Sequence, residues 1–185
     1  TVSSNLNNTI YVSGSNVLAK VVNANTSTPT VTNLNAGITA GSYISSIILG
    51  PSTTDQDIML TISTYGIAKK VIVSNDGGTT WNDITGNLPD MPVRWAMFYP
   101  GSNTQALLAT EAGVWYTNAF NGATTVWQAS AGFPAVSTDM IKYSATNDVV
   151  GVGTHGRGLW SAKLSNIPKI SFKNATLGGA RKERR

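Results

Sequence analysis

The sequence predicts an all-β fold made of a repeated, four-stranded antiparallel sheet, and three observations carry that prediction. Four hairpin-like segments recur along the 185 residues, their spacing is about 45–50 residues, and no stretch sustains an apolar period of 3.6. The hairpins are "TIYVSGSNVLAKV" from Thr9, "DIMLTISTYGIAKKVIVS" from Asp57, "QALLATEAGVWYT" from Gln105 and "DVVGVGTHGRGLWSA" from Asp148. Each is a β-rich run, a short polar or glycine-containing turn, and a second β-rich run.

The remaining strands follow from position. An apolar run precedes the last three hairpins: "YISSIILGP" at Tyr43, "VRWAMFYPG" at Val93 and "TDMIKYSAT" at Thr138. A fourth run follows the first three: "PTVTNLNAGIT", "TTWNDITGNLP" and "TTVWQASAGFP". Segments such as "SSIILG" and "QALLAT" are almost continuously apolar, the pattern of a strand covered on both faces. One sheet cannot cover itself; sheets stacked face to face around an axis cover each other. The expected architecture is therefore a β-propeller of four-stranded antiparallel blades.

The expected inventory is about three and a half blades, an incomplete ring. The chain opens in a blade without its first strand, continues through full blades at Tyr43–Pro89 and Met91–Pro134, and ends in a three-stranded blade at Val136–Leu164. Propellers usually close with about 4–8 blades. Residues 1–166 are thus expected to be the C-terminal half of a propeller. Residues 167–185 are read as a linker, the start of a following module ("KISF") or a basic tail. Half a ring exposes a blade face and sheet edges. The expected partner is accordingly the remainder of its own propeller or another polypeptide chain.

Composition excludes several classes. The chain is 41% hydrophobic and 12% charged, too poor in charge for a coiled coil or charge-rich disorder. With no cysteine, disulfides and thiolate metal sites are excluded. The net charge is +4, but Arg181-Lys182-Glu183-Arg184-Arg185 hold +3 of it. The nearly neutral body lacks the basic stripe of a nucleic-acid partner. No run reaches the roughly 20 apolar residues of a membrane-spanning helix, and "TVSSNLNN" has no signal-peptide pattern. Sequons at Asn7, Asn25 and Asn174 are what chance gives in an Asn/Ser/Thr-rich chain.

The stretch "SNDGGTTW", Ser74 to Trp81, joins the third and fourth strands of a blade. Asp76 can accept hydrogen bonds from turn amides, glycine supplies positive φ, and the tryptophan packs between sheets. Ser74, Asp76, Gly78, Thr80 and Trp81 fit Ser-x-Asp-x-Gly-x-Thr-Trp, which resembles the Asp-box, or bacterial neuraminidase repeat. A longer copy without the aspartate stands at "TNAFNGATTVW", Thr117 to Trp127. Asp-box propellers include sialidases, xyloglucan-cleaving hydrolases, sortilin-type receptors and photosystem assembly factors. The resemblance implies that the box is a folding staple, not a catalytic element or a metal site. It also implies that ligands bind at the opposite end of the blades.

That opposite end holds the second-to-third turns and the starts of the inner strands. "THGRGLW" lies there, with the only histidine, His155, beside Arg157. It resembles the last-blade signature of secreted propeller proteins from Bacteroidetes-like bacteria. Gly151-Val152-Gly153-Thr154-His155-Gly156 fits G-x-G-x-x-G, but the strand-like "RGLWSAKL" follows where a dinucleotide site needs a helix. Arg94, Glu111 and Tyr65 share this end, so the candidate ligand residues are His155, Arg157, Arg94, Glu111 and Tyr65. Asp55, Asp57, Asp90 and Asp139 are further acids, with Asp55, Asp57 and Asp139 read as turn caps. No set of residues forms a catalytic motif, and no cofactor is expected.

Three functions follow. The first is a non-catalytic binding or scaffold propeller of a secreted or cell-surface bacterial protein, holding glycan or protein at the axial loop face. The second is half of a glycoside hydrolase, sialidase- or xyloglucanase-like, whose acid pair would stand about 5–10 Å apart. The third is a purely structural or assembly propeller.

Overall fold

The computed structural model describes residues 1–14, 17–164 and 172–175. Fifteen strands and no α-helix occur among them. The first sheet holds β1 (Ile10–Gly14), β2 (Val17–Val22) and β3 (Thr30–Asn33). The second holds β4 (Ile44–Leu49), β5 (Ile58–Ile62), β6 (Val71–Ser74) and β7 (Asn82–Asp83). The third holds β8 (Val93–Phe98), β9 (Ala106–Thr110), β10 (Gly113–Thr117) and β11 (Gln128–Ala129). The fourth holds β12 (Thr138–Ser144), β13 (Val149–Thr154), β14 (Leu159–Lys163) and β15 (Lys173–Asn174). All pairing is antiparallel between chain neighbours, the up-and-down order of a blade.

The opening sheet has three strands, as expected; ahead of β1, Val2 bridges Ile10, Thr1 and Tyr11 exchange backbone bonds, and the Ser3 amide donates to the Thr9 carbonyl. One expectation about the ends is corrected. The last sheet has four strands, because Lys173 and Asn174 pair with Ser161 and Trp160. The Ile167-Pro168 break, most of "KISF" and the basic tail lie outside the described residues.

The core consists of three layers, each between successive sheets. Tyr11, Leu18, Ile58, Leu60 and Ile72 fill the first gap. Met59, Val73, Phe98, Leu108 and Trp127 fill the second, and Leu107, Val114, Ile141, Val150 and Val152 the third. β5 and β9 are buried along their whole length. Their alternate side chains serve different layers: Ile58 and Leu60 against Met59, Leu108 against Leu107. This is why these two strands read as unbroken apolar runs. Each such side chain, fully covered, contributes roughly 1.5–3 kcal/mol.

The row is not closed: the sheets contact one another in sequence order, first to second, second to third, third to fourth. Val12, Val17 and Val31 remain exposed on the first sheet, and Met140 and Leu159 on the fourth.

A feature repeats in the three inner strands β4, β8 and β12. Pairing with the second strand skips one residue near each start, between Ile44 and Ser46, Val93 and Trp95, and Thr138 and Met140. The skipped residues are Ser45, Arg94 and Asp139. A β-bulge of this kind leaves one residue out of the ladder and re-aims its side chain.

Candidate functional site

The starts of β4, β8 and β12 lie beside the ends of β5, β9 and β13, as the pairs Ile44–Ile62, Val93–Thr110 and Thr138–Thr154 show. The turns that follow, 63–70, 111–112 and 155–158, therefore share this end with the three bulged residues. The structure brings four ionisable groups together here. Arg94 Nη2 donates to Glu111 Oε2 in a short contact, and Arg94 Nε lies 3.8 Å from Asp139 Oδ1. Asp139 Oδ2 stands 4.0 Å from His155 Nδ1. Ser137 Oγ reaches Glu111 Oε2 at 3.5 Å. The Nε of Arg94 is buried and has no hydrogen-bond partner among the described residues.

The row continues toward the second sheet. Ser45 Oγ donates to the carbonyl of Val93 at 2.5 Å and contacts Thr61 Oγ1 at 2.8 Å. Three successive blades thus supply a hydroxyl, a guanidinium and a carboxylate from one structural position. Arg94, Glu111 and Asp139 are each partly exposed, and His155 is largely so.

Of the expected residues, Arg94, Glu111 and His155 join this network. Arg157 does not: its side chain is exposed, and its carbonyl accepts from Trp160 Nε1 at 3.1 Å. Tyr65 is also exposed, farther along the same end on the second sheet. Asp139 is not a turn cap; the bulge on β12 places it beside Arg94. Its signal was "TDM" opening an apolar strand, but a bulge leaves no trace in residue type.

Asp55 and Asp57 are buried in the β4–β5 turn and bind side-chain amides from other segments. Asn5 donates to Asp55 at 2.8 Å, and Asn75 donates to Asp57 at 2.7 Å. They bind loops to one another rather than cap their own backbone. The 151–156 segment is β13 and the turn after it, so the helix a dinucleotide needs is absent there. No group of three or more His, Asp or Glu placed to hold a metal occurs among the described residues.

At the opposite end, Ser74 to Trp81 forms a closed hydrogen-bonded turn. Asp76 Oδ1 accepts from Ser74 Oγ at 2.7 Å and from the Thr80 amide at 2.8 Å, while Oδ2 accepts from Thr80 Oγ1 at 2.6 Å. Ser74 Oγ also accepts from the Gly78 amide at 2.8 Å. Donation by the Thr80 hydroxyl first, then its amide and the Ser74 hydroxyl, lowers the Asp76 carboxyl to about 2. Gly78 has φ of 93°, and a Cβ there would stand 2.8 Å from Leu34 Cδ1 of the first sheet's layer. Trp81 Nε1 donates to the Gly78 carbonyl at 3.0 Å, and its ring packs on the layer between first and second sheets. The Gly77 amide bonds the Gln56 carbonyl, joining this turn to the β4–β5 turn.

No protein-family model and no curated protein matches the chain. Solved structures do, over nearly all of it. An ancestral GH74 enzyme matches with a TM-score of 0.66 at 13% identity, covering 97% of this chain and 24% of that one. The dihydro-heme d1 dehydrogenase NirN in complex with DHE gives 0.59 at 10% identity, over 96% and 36%. The β-propeller domain of Myceliophteria thermophila Cps50 (Swd1) gives 0.52 at 16% identity, over 93% and 60%. The chain spans about a quarter of the first of these and 60% of the third. At such identity the likeness shows the fold: the sheets are β-propeller blades.

Proposed function

We propose that the chain is part of a non-catalytic binding propeller of Asp-box type, from a secreted or cell-surface bacterial protein. Its ligand, glycan or protein, sits where Arg94, Glu111, Asp139 and His155 converge. The carrying observation is Arg94, released from its ladder by a bulge and held between carboxylates of two different blades. Three inner strands spend their ladder register to present polar side chains at one end, while the Asp76 carboxylate is engaged inside its own turn. A fold of this kind hosts unrelated functions, so the reading rests on the residues of this end and not on the fold. Uncovered valines on the first sheet support a partner there, the rest of the propeller or a second chain. Screening the chain and its Arg94→Ala variant on oligosaccharide and peptide arrays tests the reading. A ligand whose affinity falls at least about tenfold in the variant supports it; a ligand bound equally by both places the site elsewhere.

A second reading is favoured by one observation. Two carboxylates, Glu111 and Asp139, flank a single guanidinium. A glycoside hydrolase works with two such acids roughly 5–10 Å apart, and a GH74 enzyme shares the fold. Release of reducing ends from polysaccharide, lost in both Glu111→Gln and Asp139→Asn, would establish the enzyme instead.

A further inference from the structure

Near the start of β4, on the same end, two tyrosines are exposed: Tyr43 at 63% and Tyr65 at 59%. Single exposed aromatics need no explanation, but these two are tied to each other and braced from beneath. The Tyr43 amide donates to Thr64 Oγ1 at 2.8 Å, and the Ser63 amide donates to the Tyr43 carbonyl at 3.1 Å. The segment carrying Tyr65 is thereby stitched to the segment carrying Tyr43.

The brace is a buried lysine. Lys70 is only 2% exposed; its Nζ donates to the Thr64 carbonyl at 2.5 Å and pairs with Asp90 at 2.6 Å. Asp90 in turn accepts the Gly66 amide on both oxygens, at 3.0 and 2.9 Å. Thr64 and Gly66, the two neighbours of Tyr65, are thus pinned by one ion pair. Burying an ammonium is costly unless it is paired and hydrogen-bonded. Here the charge holds a loop whose tip is an uncovered aromatic ring. Lys69 adds a second tie, from Nζ to the Gly37 carbonyl at 3.3 Å. An aromatic carried on a loop whose backbone is fixed is pre-organised for a partner, because little loop freedom remains to be lost on binding.

The neighbouring chemistry selects the partner. Ser45, two residues after Tyr43, bonds the carbonyl of Val93, next to Arg94. Arg94, the cation beside this row, is already balanced by Glu111 and Asp139, so its charge is not free for an anionic ligand. It offers aromatic faces beside hydroxyl, guanidinium and carboxylate groups. A pyranose ring fits that pairing: its C–H face lies on an aromatic ring while its hydroxyls bond polar groups. We propose that Tyr43 and Tyr65 form a stacking platform for a neutral oligosaccharide that continues toward the Arg94–Asp139 network. The platform rests on the reading of this end as the ligand end, and it narrows that ligand to a glycan.

Isothermal titration of the 185-residue chain with cellohexaose, a xyloglucan heptasaccharide and chitohexaose tests it. At least one should bind. Tyr43→Ala and Tyr65→Ala should each weaken it about tenfold or more, while the phenylalanine variants keep most of the affinity because stacking needs no hydroxyl. Exposed positions leave the fold intact, which the melting temperature of each variant checks. If a sugar binds, and Arg94→Ala abolishes binding while both alanine variants bind as the parent does, the platform is wrong and the axial reading stands. Loss in the tyrosine variants with none in Arg94→Ala keeps the platform and overturns the axial reading. Binding of none of the three sugars, or of peptides alone on an array, overturns the platform.

Discussion

The second and third blades carry two versions of the same turn, and they hold their tryptophans differently. From Ser74 to Trp81, Asp76 organises the turn locally, and Trp81 donates its indole N–H back to Gly78. From Thr117 to Trp127, no aspartate is present. Thr125 takes over: its hydroxyl accepts the Asn121 amide at 2.9 Å and donates to Gly122 O at 2.7 Å. Trp127, 1% exposed, then donates to the Ile84 carbonyl of the second blade at 2.8 Å. Asn87 clasps the Trp127 backbone from both sides, at 2.6 and 3.0 Å. The first turn is closed on itself; the second is fastened to its neighbour. Losing the aspartate has therefore not loosened the third blade, because tertiary bonds replace the local ones.

The comparison breaks first at Trp127. Trp127→Ala should cost about 3–5 kcal/mol in denaturant unfolding, through the cavity and the lost inter-blade bond. If the loss is no greater than that of Trp81→Ala, the fastening is not what matters. Next comes the close approach that makes it possible. Gly86 has φ of 52°, and a Cβ there would fall 1.8 Å from the Thr125 carbonyl oxygen. Gly86→Ala should cost roughly 2–3 kcal/mol, read the same way. Thr125→Val, which removes a buried hydroxyl's two bonds, should cost about 1–2 kcal/mol.

The smallest effect lies in pH. Asp76 titrates at about 2 in the folded chain against 3.8 when free. Its carboxylate therefore supports the fold fully above about pH 4, and that support is lost as pH falls through 2. The melting temperature should fall across this window in the parent and less steeply in Asp76→Asn, whose own value at neutral pH sits a few degrees lower. Equal slopes would show that the turn carries no titrating bond.

The blades were readable because their β-rich runs are short, sustain no 3.6 period and recur at even spacing. β5 and β9 announced double burial by composition alone. The edges were not readable. Lys173–Asn174 and the Val2 bridge are one or two residues long, too short for any pattern, and owe their pairing to the strand already in place. β7 and β11 likewise shrink to two residues inside longer expected runs. At the site, Arg94, Glu111 and His155 were found from their shared end. Asp139 was named among the acids but read as a turn cap, because its place beside Arg94 depends on ladder register, which residue type does not record.

The skipped residue at the head of each inner strand has a last consequence. Ser45, Arg94 and Asp139 have no partner in the ladder register, so the ladder imposes no shape or polarity on them. The same backbone tolerates a neutral, a positive and a negative side chain in three consecutive repeats. Stability is settled in the layers between the blades, and the surface chemistry of this end is settled at positions that the layers do not constrain. Such a fold can change the chemistry of this end by single substitutions, one blade at a time, while its interior stays as it is.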